Sequence, residues 1–241
     1  MVEPLLRVDG LTKRFRGLVA AEDIRFSLNR GQIRAVIGPN GAGKTTFISM
    51  ISGHVTPSGG QIFYQEKDIT RLPVMHRARI GIARKFQTPT LFDNLTARQN
   101  IELANLAAGV PKRERNGRIR DVLHIVRLLE EADVPAVHLS HGQRQWLEIG
   151  LLIAVRATVL LLDEPTAGMT AEETAATGEL IQRLAREFDL SAIIIEHDIN
   201  FIRDLGAPVT VLHLGRVLIE GSFEEVAANA DVREVYLGGA A

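Results

Sequence analysis

The stretch Gly38-Pro-Asn-Gly-Ala-Gly-Lys-Thr45 decides the fold of this chain. It matches the pattern G-x-x-x-x-G-K-[ST], and it lies between the apolar run Ile33–Ile37 and a helical pattern that includes Phe47 and Ile51. Glycines in such a loop let consecutive backbone N–H groups turn toward phosphate oxygens, and the start of the following helix favours negative charge. The sequence therefore predicts a strand, a phosphate-binding loop and a helix, in this order.

The loop is expected to bind a nucleoside triphosphate together with Mg²⁺. In loops of this kind the lysine, here Lys44, reaches the β- and γ-phosphates, and the hydroxyl of Thr45 coordinates Mg²⁺. A chance match in a glycine-rich turn is the alternative, and the strand and helix on either side argue against it. The predicted nucleotide-binding residues of the loop are Gly38, Pro39, Asn40, Gly41, Ala42, Gly43, Lys44, Thr45 and Thr46.

Two adjacent carboxylates, Asp163 and Glu164, follow the apolar run Val159–Leu162. In parallel sheets, ligands bind beyond the carboxyl ends of the strands, where a phosphate loop also lies. Because adjacent strand residues point in opposite directions, the two acids should serve different purposes. We expect Asp163 to hold Mg²⁺ and Glu164 to polarise the water that attacks the γ-phosphate. A pair of solvent-facing loop acids is the alternative.

The rest of the chain predicts a parallel α/β core with an antiparallel edge. Continuous apolar runs at Val159–Leu162 and Ala192–Ile195 are typical of strands buried on both faces. Short runs at Leu5–Val8 and Ile24–Leu28, and a hairpin around 214–216, predict further strands. The block between 88 and 157 is helical, with one apolar face formed by Ile119, Val122, Leu123, Val126 and Leu129.

The composition excludes several classes of protein. The chain has 241 residues, a formal net charge of -1 and no cysteine. It therefore has no global field that attracts nucleic acid, no disulfide and no thiolate metal site. The charged residues Glu3, Arg7 and Asp9 do not fit a signal peptide, and no apolar run approaches the roughly 18 residues of a membrane helix. Action at a membrane would require docking onto another polypeptide.

The segment LSHGQ, residues 139–143, precedes another helical pattern. Ser140 and Gln143 form the capping box S-x-x-Q, which by itself explains both residues as the start of a helix. The same box recurs at Thr96 and at Thr170. The motif alone therefore says little about function, and only its neighbours along the chain give it a further meaning.

The order and spacing of five segments resemble the ATP-binding cassette (ABC) family. They are the loop at Lys44, RKFQTPT with Gln87, LSHGQ, LLLDEPT with its two acids, and IIIEHD with His197. The resemblance implies a P-loop NTPase core with a mixed sheet, an antiparallel β subdomain and an inserted helical subdomain. It also implies one nucleotide-binding domain over 1–241, with a RecA-like core at about 1–87 and 158–241 and the helical subdomain at about 88–157.

The resemblance implies a role for each remaining motif residue. ATP would lie between two subunits arranged head to tail, and each nucleotide would face the other subunit's Ser140, Gly142 and Gln143. Gln87 would contact Mg²⁺ and the attacking water, and His197 would contact the γ-phosphate. Phe15 would stack on adenine. Taken alone, His197 can also be read as a structural histidine and Phe15 as an ordinary core phenylalanine.

Two residues depart from the common pattern of the family. His141 stands where glycine is usual, and it places a titratable side chain near the expected phosphate. Thr170 stands where many relatives have an aspartate. It keeps a helix cap with Glu173 but lacks the charge. These departures put communication between the two ATP sites in question, whereas the chemistry expected at Glu164 is unaffected.

Several segments are similar to the importer branch that serves branched-chain amino acids, urea and short amides. They are RKFQTPTLF, LSHGQRQWLEIG, EPTAGMTAEET, VTVLHLGRVLIEGSFEEV and the tail EVYLG. Within this branch, LSHGQ followed by QWLEIG, together with AGMT, favours the urea-type subunit. The implied function is the ATP-hydrolysing motor of an importer for urea or short amides, with a branched-chain amino-acid importer as the alternative.

The same resemblance implies the partners and the location. A second ATPase subunit is expected, more readily as a heterodimer than as a homodimer, with integral-membrane permeases and, indirectly, a solute-binding protein. The chain would be cytoplasmic and peripheral on the inner face of the cell membrane. A permease helix would dock beside Gln87, near three residues that can equally be core: Leu91, Phe92 and Leu95. Nucleic acid is not expected as a partner.

Two readings of another class remain. A non-transport ABC ATPase of DNA repair would carry a long coiled-coil insert, and one of translation would carry two cassettes; this chain has neither. A nucleotide-binding regulatory module with weak catalysis is suggested only by His141 and Thr170.

Overall fold

The computed structural model describes residues 3–85 and 91–237. Strands and helices alternate along most of this length, as expected for an α/β protein. In chain order the elements are β1 (Leu6–Phe15), β2 (Leu18–Leu28), β3 (Ile33–Ile37), α1 (Lys44–Ile51), β4 (Gly59–Tyr64), β5 (Lys67–Asp68), α2 (Val74–Ile80), β6 (Ile82–Lys85), α3 (Ala97–Ala107), α4 (Lys112–Ile125), α5 (His141–Ala154), β7 (Val159–Asp163), α6 (Ala171–Phe188), β8 (Ser191–Ile195), α7 (Ile199–Leu205), β9 (Val209–His213), β10 (Arg216–Gly221), α8 (Phe223–Ala228) and α9 (Ala230–Leu237).

A six-stranded sheet in the order β10-β9-β3-β8-β7-β6 forms the centre of the protein. The pairs β9–β3, β3–β8, β8–β7 and β7–β6 are parallel, and β10 pairs antiparallel with β9. Every residue of β7 and β8 is buried, as their continuous apolar sequences predict. The register aligns Asp163 with Ile195, so β3, β7 and β8 all end at the same edge.

A second, antiparallel sheet in the order β2-β1-β4-β5 covers one side of this core. Strands β1 and β2 are longer than the apolar runs Leu5–Val8 and Ile24–Leu28 that predict them. Polar residues fill their half-exposed positions, so hydrophobicity alone marks only part of each strand. The two strands are joined at Arg16 and Gly17, which both have positive φ, 42° and 95°. This turn carries the end of β1 toward the phosphate loop.

Three helices, α3, α4 and α5, lie within the stretch of about 88–157 for which helices are predicted. Helix α4 ends at Ile125, and Arg127 adopts a left-handed φ of 58°. Leu129 therefore lies beyond the helix and is 40% exposed, and its prediction as part of the apolar helix face is wrong. The buried side chains of these helices and those on one face of the central sheet belong to one hydrophobic cluster, whereas the other face packs in a second cluster with α1 and the antiparallel sheet.

Four of the described helices begin with a capping box, in which the cap residue and the third helical residue satisfy each other's backbone N–H groups. The boxes at Thr96, Ser140 and Thr170 confirm the predictions. A fourth box joins Ser222 to Glu225 at the start of α8. None of the helices within residues 3–85 and 91–237 combines the length and the apolar character that a membrane crossing requires.

Arg77, in α2, fixes the far end of α1. Its guanidinium is 1% exposed and donates hydrogen bonds to the carbonyls of Met50, Ile51, Thr70 and Leu72. Burial lowers the pKa of Arg77 to about 10. Because the last carbonyls of a helix have no partners within it, this arginine supplies the missing donors and holds the phosphate-loop helix in place.

Candidate nucleotide site

A cavity of about 440 Å³ opens beside the loop between β3 and α1. The loop forms its floor, the β1–β2 turn region one wall, and the ends of β7 and β8 the other. Ten predicted site residues line it: Phe15, Asn40, Gly41, Ala42, Gly43, Lys44, Thr45, Thr46, Glu164 and His197. The lining is completed by Leu18, Val19, Ala20 and Ile195, which the sequence does not single out because none of them carries chemistry.

Two glycines of the loop are required by the close approach of other backbone segments. Gly38 has a φ of 151°, and a Cβ there would overlap the carbonyl oxygen of Leu212 in β9. Gly43 has a φ of 99°, and a Cβ there would overlap the carbonyl oxygen of Ala20 in β2. The loop is thus wedged between two strands, and only glycine fits at these positions.

Lys44 lies buried beneath the loop. Its ammonium donates hydrogen bonds to the carbonyls of Gly38, at 2.7 Å, and Pro39, at 3.0 Å. Burial lowers the pKa of Lys44, while the carboxylates of Glu164 and Asp163 act in the opposite direction. A bound polyphosphate would favour the charged ammonium further, because it adds negative charge to a poorly solvated site.

Helix α1 offers its first backbone N–H groups to the cavity. It begins at Lys44, and its cap, Gly43, has no side chain that could satisfy these donors. Free N–H groups at a helix start, together with the helix dipole, form a site for anions. The loop and α1 can therefore hold a phosphate chain through backbone groups, with Lys44 as the positive charge.

Asp163 and Glu164 occupy different environments, as predicted for adjacent residues at a strand end. Asp163 is 1% exposed, and its Oδ2 accepts a hydrogen bond of 3.1 Å from Arg84. Arg84 also donates to the hydroxyl of Ser49 in α1, at 2.7 Å. The acid is thereby tied to the phosphate-loop helix through an arginine that the sequence does not single out.

The residues at the cavity fit Mg²⁺. Within the described part of the chain, the buried Oδ1 of Asp163 has no hydrogen-bond partner. Asp163 is not among the residues that line the cavity, whereas its neighbour Glu164 and Thr45 are. A carboxylate oxygen without a partner and a hydroxyl are oxygen ligands of the kind that Mg²⁺ prefers. Across residues 3–85 and 91–237, no cluster of three or more His, Cys, Asp or Glu side chains could hold a metal alone. The remaining oxygens would have to come from phosphate and water, which is usual for Mg²⁺.

Glu164 and His197 face each other across the cavity. The Nε2 of His197 lies 3.2 Å from Oε1 of Glu164, and both side chains are partly exposed. Glu164 adopts a left-handed φ of 49°, and its backbone N–H donates to the carbonyl of Ile195, at 2.8 Å. Glu164 thus leaves the sheet at the point where Asp163 ends β7. The structure brings the predicted base and the predicted phosphate contact together.

Phe15 stands at the end of β1 and is 43% exposed, so its alternative reading as an ordinary core phenylalanine is wrong. The ammonium of Lys13 lies 4.8 Å from the centre of its ring. The ring forms part of the cavity wall. An exposed aromatic face beside a phosphate site can stack on a planar base.

Ser140, Gly142 and Gln143, at the start of α5, are not among the residues that line this cavity. The start of α5 is contacted by a carboxylate of the same chain, that of Glu173. Glu173 Oε1 lies 3.5 Å from the hydroxyl of Ser140, and its Oε2 accepts from the backbone N–H of Thr170, at 3.0 Å. The N–H of Thr170, and to a smaller extent that of Gly142, lower the pKa of Glu173.

His141 links the start of α5 to the loop that follows Glu164. Its Nε2 lies 2.8 Å from the carbonyl oxygen of Ala167, so this nitrogen carries the proton. A Cβ on Gly168 would come within 3.2 Å of the same nitrogen. The imidazole that replaces the usual glycine is therefore accommodated by a contact within the subunit.

The predicted docking residues differ in exposure. Gln87 lies outside the described residues. Phe92 is 59% exposed, whereas Leu91 packs against the hydrophobic core and Leu95 is half-buried. Of the three, only Phe92 is a freely exposed apolar side chain.

The C-terminal helix α9 also reaches the phosphate loop. Although Tyr236 remains 39% exposed, burial of the rest raises its pKa to about 12, against the effect of a hydrogen bond from the backbone N–H of Gly38. The motif EVYLG in the sequence marks this residue, but no local pattern indicates that it contacts the loop.

A mixed sheet with a lysine-bearing phosphate loop at its carboxyl edge, an antiparallel sheet on one side and helices inserted before β7 define an ABC-type ATPase domain. The ABC transporter family model matches residues 21–167. A branched-chain amino acid ATP-binding cassette transporter model matches residues 216–241. The chain therefore belongs to the ABC transporter family, as an ATP-binding subunit that hydrolyses ATP, dimerises and acts with membrane permease components.

Relatives and solved structures agree with this assignment. The chain is 36% identical to the high-affinity branched-chain amino acid transport ATP-binding protein BraF of Pseudomonas aeruginosa, over 99% of both chains. It is 34% identical to LivG, of the same description, from Escherichia coli K12, again over 99% of both. The ATP-binding cassette MJ1267 superposes with a TM-score of 0.90 at 26% identity, covering 98% of this chain and 100% of that one. The predicted fold class is confirmed.

The wedged loop leads to a stability prediction. Gly43→Ala should lower the free energy of unfolding by about 3 kcal/mol or more. The variant has to bear two costs, that of a left-handed φ for a residue with a Cβ and that of the overlap of this Cβ with the backbone of Ala20. Gly41→Ala is the matched control: its φ is 81°, but nothing lies within 4 Å of its Cβ position. It should cost only about 1–2 kcal/mol. Urea unfolding of the nucleotide-free variants measures the free energy of unfolding of each. Equal losses in the two variants would contradict the tight packing of the loop between β2 and β9.

Proposed function

We propose that this subunit drives the uptake of branched-chain amino acids, as a cytoplasmic motor docked on the inner face of the cell membrane. The observation that carries the proposal is the match of residues 216–241 to the branched-chain amino acid transporter model. Overall identity does not discriminate, because the lipopolysaccharide export ATP-binding protein LptB of Acidithiobacillus ferridurans is also 35% identical over 97% of both chains. The C-terminal segment includes Tyr236, which contacts the phosphate loop.

Urea or a short amide is the second candidate for the transported molecule. It rests only on the resemblance of LSHGQRQWLEIG and AGMT to the urea-type subunit. The match of residues 216–241 to the branched-chain amino acid transporter model favours the alternative that the sequence leaves second, and BraF and LivG are named for transport of the same amino acids. The substrate itself is expected to contact the permease and the binding protein, so it leaves no direct mark on this chain.

The hydrolytic step assigns one role to each cavity residue. The triphosphate lies along the loop, with Lys44 against the β- and γ-phosphates and His197 against the γ-phosphate. Glu164 takes a proton from the attacking water as the water oxygen bonds to phosphorus and the β–γ bridge breaks to release ADP. Thr45, Asp163 and Gln87 would hold Mg²⁺, which neutralises charge on the phosphate oxygens. Phe15 stacks on adenine.

The active unit is a head-to-tail dimer with ATP between its subunits, here a heterodimer with a sister ATPase. The start of α5, with Ser140, Gly142 and Gln143, serves the nucleotide of the other subunit. The absence of these three residues from the cavity lining of their own subunit supports this role. A small glycine and a capped helix start are suited to an anion. The exposed Phe92 supports docking of a permease helix nearby.

Replacing the predicted base should separate binding from hydrolysis. We expect Glu164→Gln to keep ATP affinity but to lower turnover by roughly 10²-fold or more, because a neutral amide cannot accept the proton. It should also accumulate an ATP-bound dimer, seen by size-exclusion chromatography. Lys44→Ala should instead weaken nucleotide binding itself, measured by titration with a fluorescent ATP analogue. Normal phosphate release by Glu164→Gln would remove this glutamate from the mechanism.

Dimer closure onto a phosphate should have to displace Glu173 from the start of α5. Glu173→Gln retains an oxygen for the Thr170 cap but removes the negative charge. We therefore expect half-maximal ATP-driven dimer formation at roughly 2–5-fold lower ATP, as one charge at a helix start is worth about 0.3–1 kcal/mol. Glu225→Gln is the control, since Glu225 closes the same kind of box in α8. A higher ATP requirement for Glu173→Gln would contradict displacement.

The transported molecule can be tested in a reconstituted transporter. The permeases and the solute-binding protein encoded with this chain are assembled with it in proteoliposomes, and ATP hydrolysis is followed as each ligand is added. Leucine, isoleucine or valine should stimulate hydrolysis, and urea and acetamide should not. Stimulation by urea alone would favour the second candidate. If DNA or ribosomes stimulated ATP hydrolysis in the absence of permeases, the proposed role in transport would be contradicted.

A further inference from the structure

Glu196 is a buried carboxylate between the end of β8 and His197. It is 4% exposed. A buried carboxylate is costly unless hydrogen-bond donors surround it, so its partners show what it holds in place. Nothing in the resemblance to the ABC family assigns a role to this position.

Within residues 3–85 and 91–237, the hydrogen-bond donors to Glu196 come from the two loops that carry the proposed catalytic pair. Its Oε1 accepts from the backbone N–H of Thr166, at 2.9 Å, and from the Thr166 hydroxyl, at 2.5 Å. Its Oε2 accepts from the backbone N–H of His197, at 3.0 Å. Thr166 lies two residues after Glu164 and is itself 6% exposed.

These contacts begin where the sheet stops. The last pair of the β7–β8 ladder is Asp163 with Ile195, followed by the hydrogen bond from Glu164 N–H to the Ile195 carbonyl. Beyond that point the ladder no longer fixes the distance between the two loops. The rigid carboxylate of Glu196 replaces it by joining Thr166 to the backbone of His197.

We infer that Glu196 is a positioning residue for ATP hydrolysis, whose carboxylate holds Glu164 against His197. This inference rests on the roles proposed above for these two side chains. The side chain of Glu164 is partly exposed, so the position of its backbone decides where its carboxylate lies relative to His197. Loss of the clamp changes the 3.2 Å approach between the pair while leaving the phosphate loop, which binds the nucleotide, in place.

A glutamine at this position separates positioning from packing. Glu196→Gln has nearly the same shape, but only one of its two polar atoms accepts hydrogen bonds. Its amide N–H₂ must face either the N–H of His197 or the donors of Thr166, so either the His197 contact or the contact with the Thr166 backbone is lost. A carboxylate is needed because both of its oxygens accept and neither donates.

The experiment measures ATP affinity and turnover separately in the full-length chain with its permease partners. Glu196→Gln should lower kcat about 10–100-fold, with the Kd of a fluorescent ATP analogue changed less than about 2-fold, since small misplacements of reacting groups cost rates of this size. Glu220→Gln is the control, because Glu220 also accepts from a threonine hydroxyl, that of Thr210, and pairs with Arg34, but it is not among the residues that line the cavity. Its kcat should be unchanged.

Thr166→Val provides a second test that keeps the charge of Glu196. It removes the hydroxyl donor but leaves the backbone N–H, so a smaller loss of kcat is expected. The double variant with Glu196→Gln should lose less than the product of the two single effects, because both act through one contact. Multiplicative effects would overturn the clamp, as would an unchanged kcat in both folded single variants. If Glu196→Gln does not fold, Thr166→Val alone decides: full activity overturns the inference.

Comparison with Glu164→Gln distinguishes an error in the proposed catalytic roles from an error in the positioning role of Glu196 alone. If Glu164→Gln hydrolyses ATP normally, the proposed catalytic roles fail, and the clamp fails with them. If Glu164→Gln is inactive while Glu196→Gln retains wild-type kcat, only the positioning role of Glu196 is wrong.

Discussion

The parallel pairing of β3, β8 and β7 places the carboxyl ends of three strands at one edge of the sheet, and every part of the site depends on it. β3 delivers the phosphate loop, β7 delivers Asp163 and Glu164, and β8 delivers His197. Because the strands are paired in register, their carboxyl ends lie within one residue of each other along the sheet. The three strands are almost wholly buried, so the framework that fixes their register is also the most stable part of the molecule.

Around this edge, polar contacts connect the site to the rest of the fold. Arg84 joins Asp163 to α1 through Ser49, and Glu196 joins the loops that follow β7 and β8. Lys85 and Glu148 form a buried ion pair of 3.3 Å between β6 and α5. Each of these contacts joins two structural elements for which different functions are predicted. Arg84 and Lys85 are neighbours in β6, so this strand contacts both Asp163 and α5.

The start of α5 shows how one site can serve two states. Within the subunit it meets Glu173 and is tied to the Ala167 carbonyl by His141. The same backbone groups suit a phosphate of a neighbouring subunit, and one anion excludes the other. The two departures from the family pattern, His141 and Thr170, both lie in this contact region. They are thus explained by contacts within the subunit, and nothing in the cavity itself is altered by them.

The phosphate loop, the acid pair, the buried strands and three helix caps could be predicted from the sequence, because each is encoded within a few neighbouring residues. The order of these segments also indicated the family. The sequence favoured urea over branched-chain amino acids as the transported molecule, but it did so from short segments that are not expected to contact the substrate. It also extended the apolar face of α4 to Leu129, because periodicity does not register a left-handed residue such as Arg127. Other features emerge only in the folded molecule: the partners of Asp163, the burial of Glu196, the approach of Tyr236 to Gly38 and the contact of Glu173 with the start of α5. These depend on residues far apart in the chain, whose approach is set by strand order and packing and leaves no local pattern.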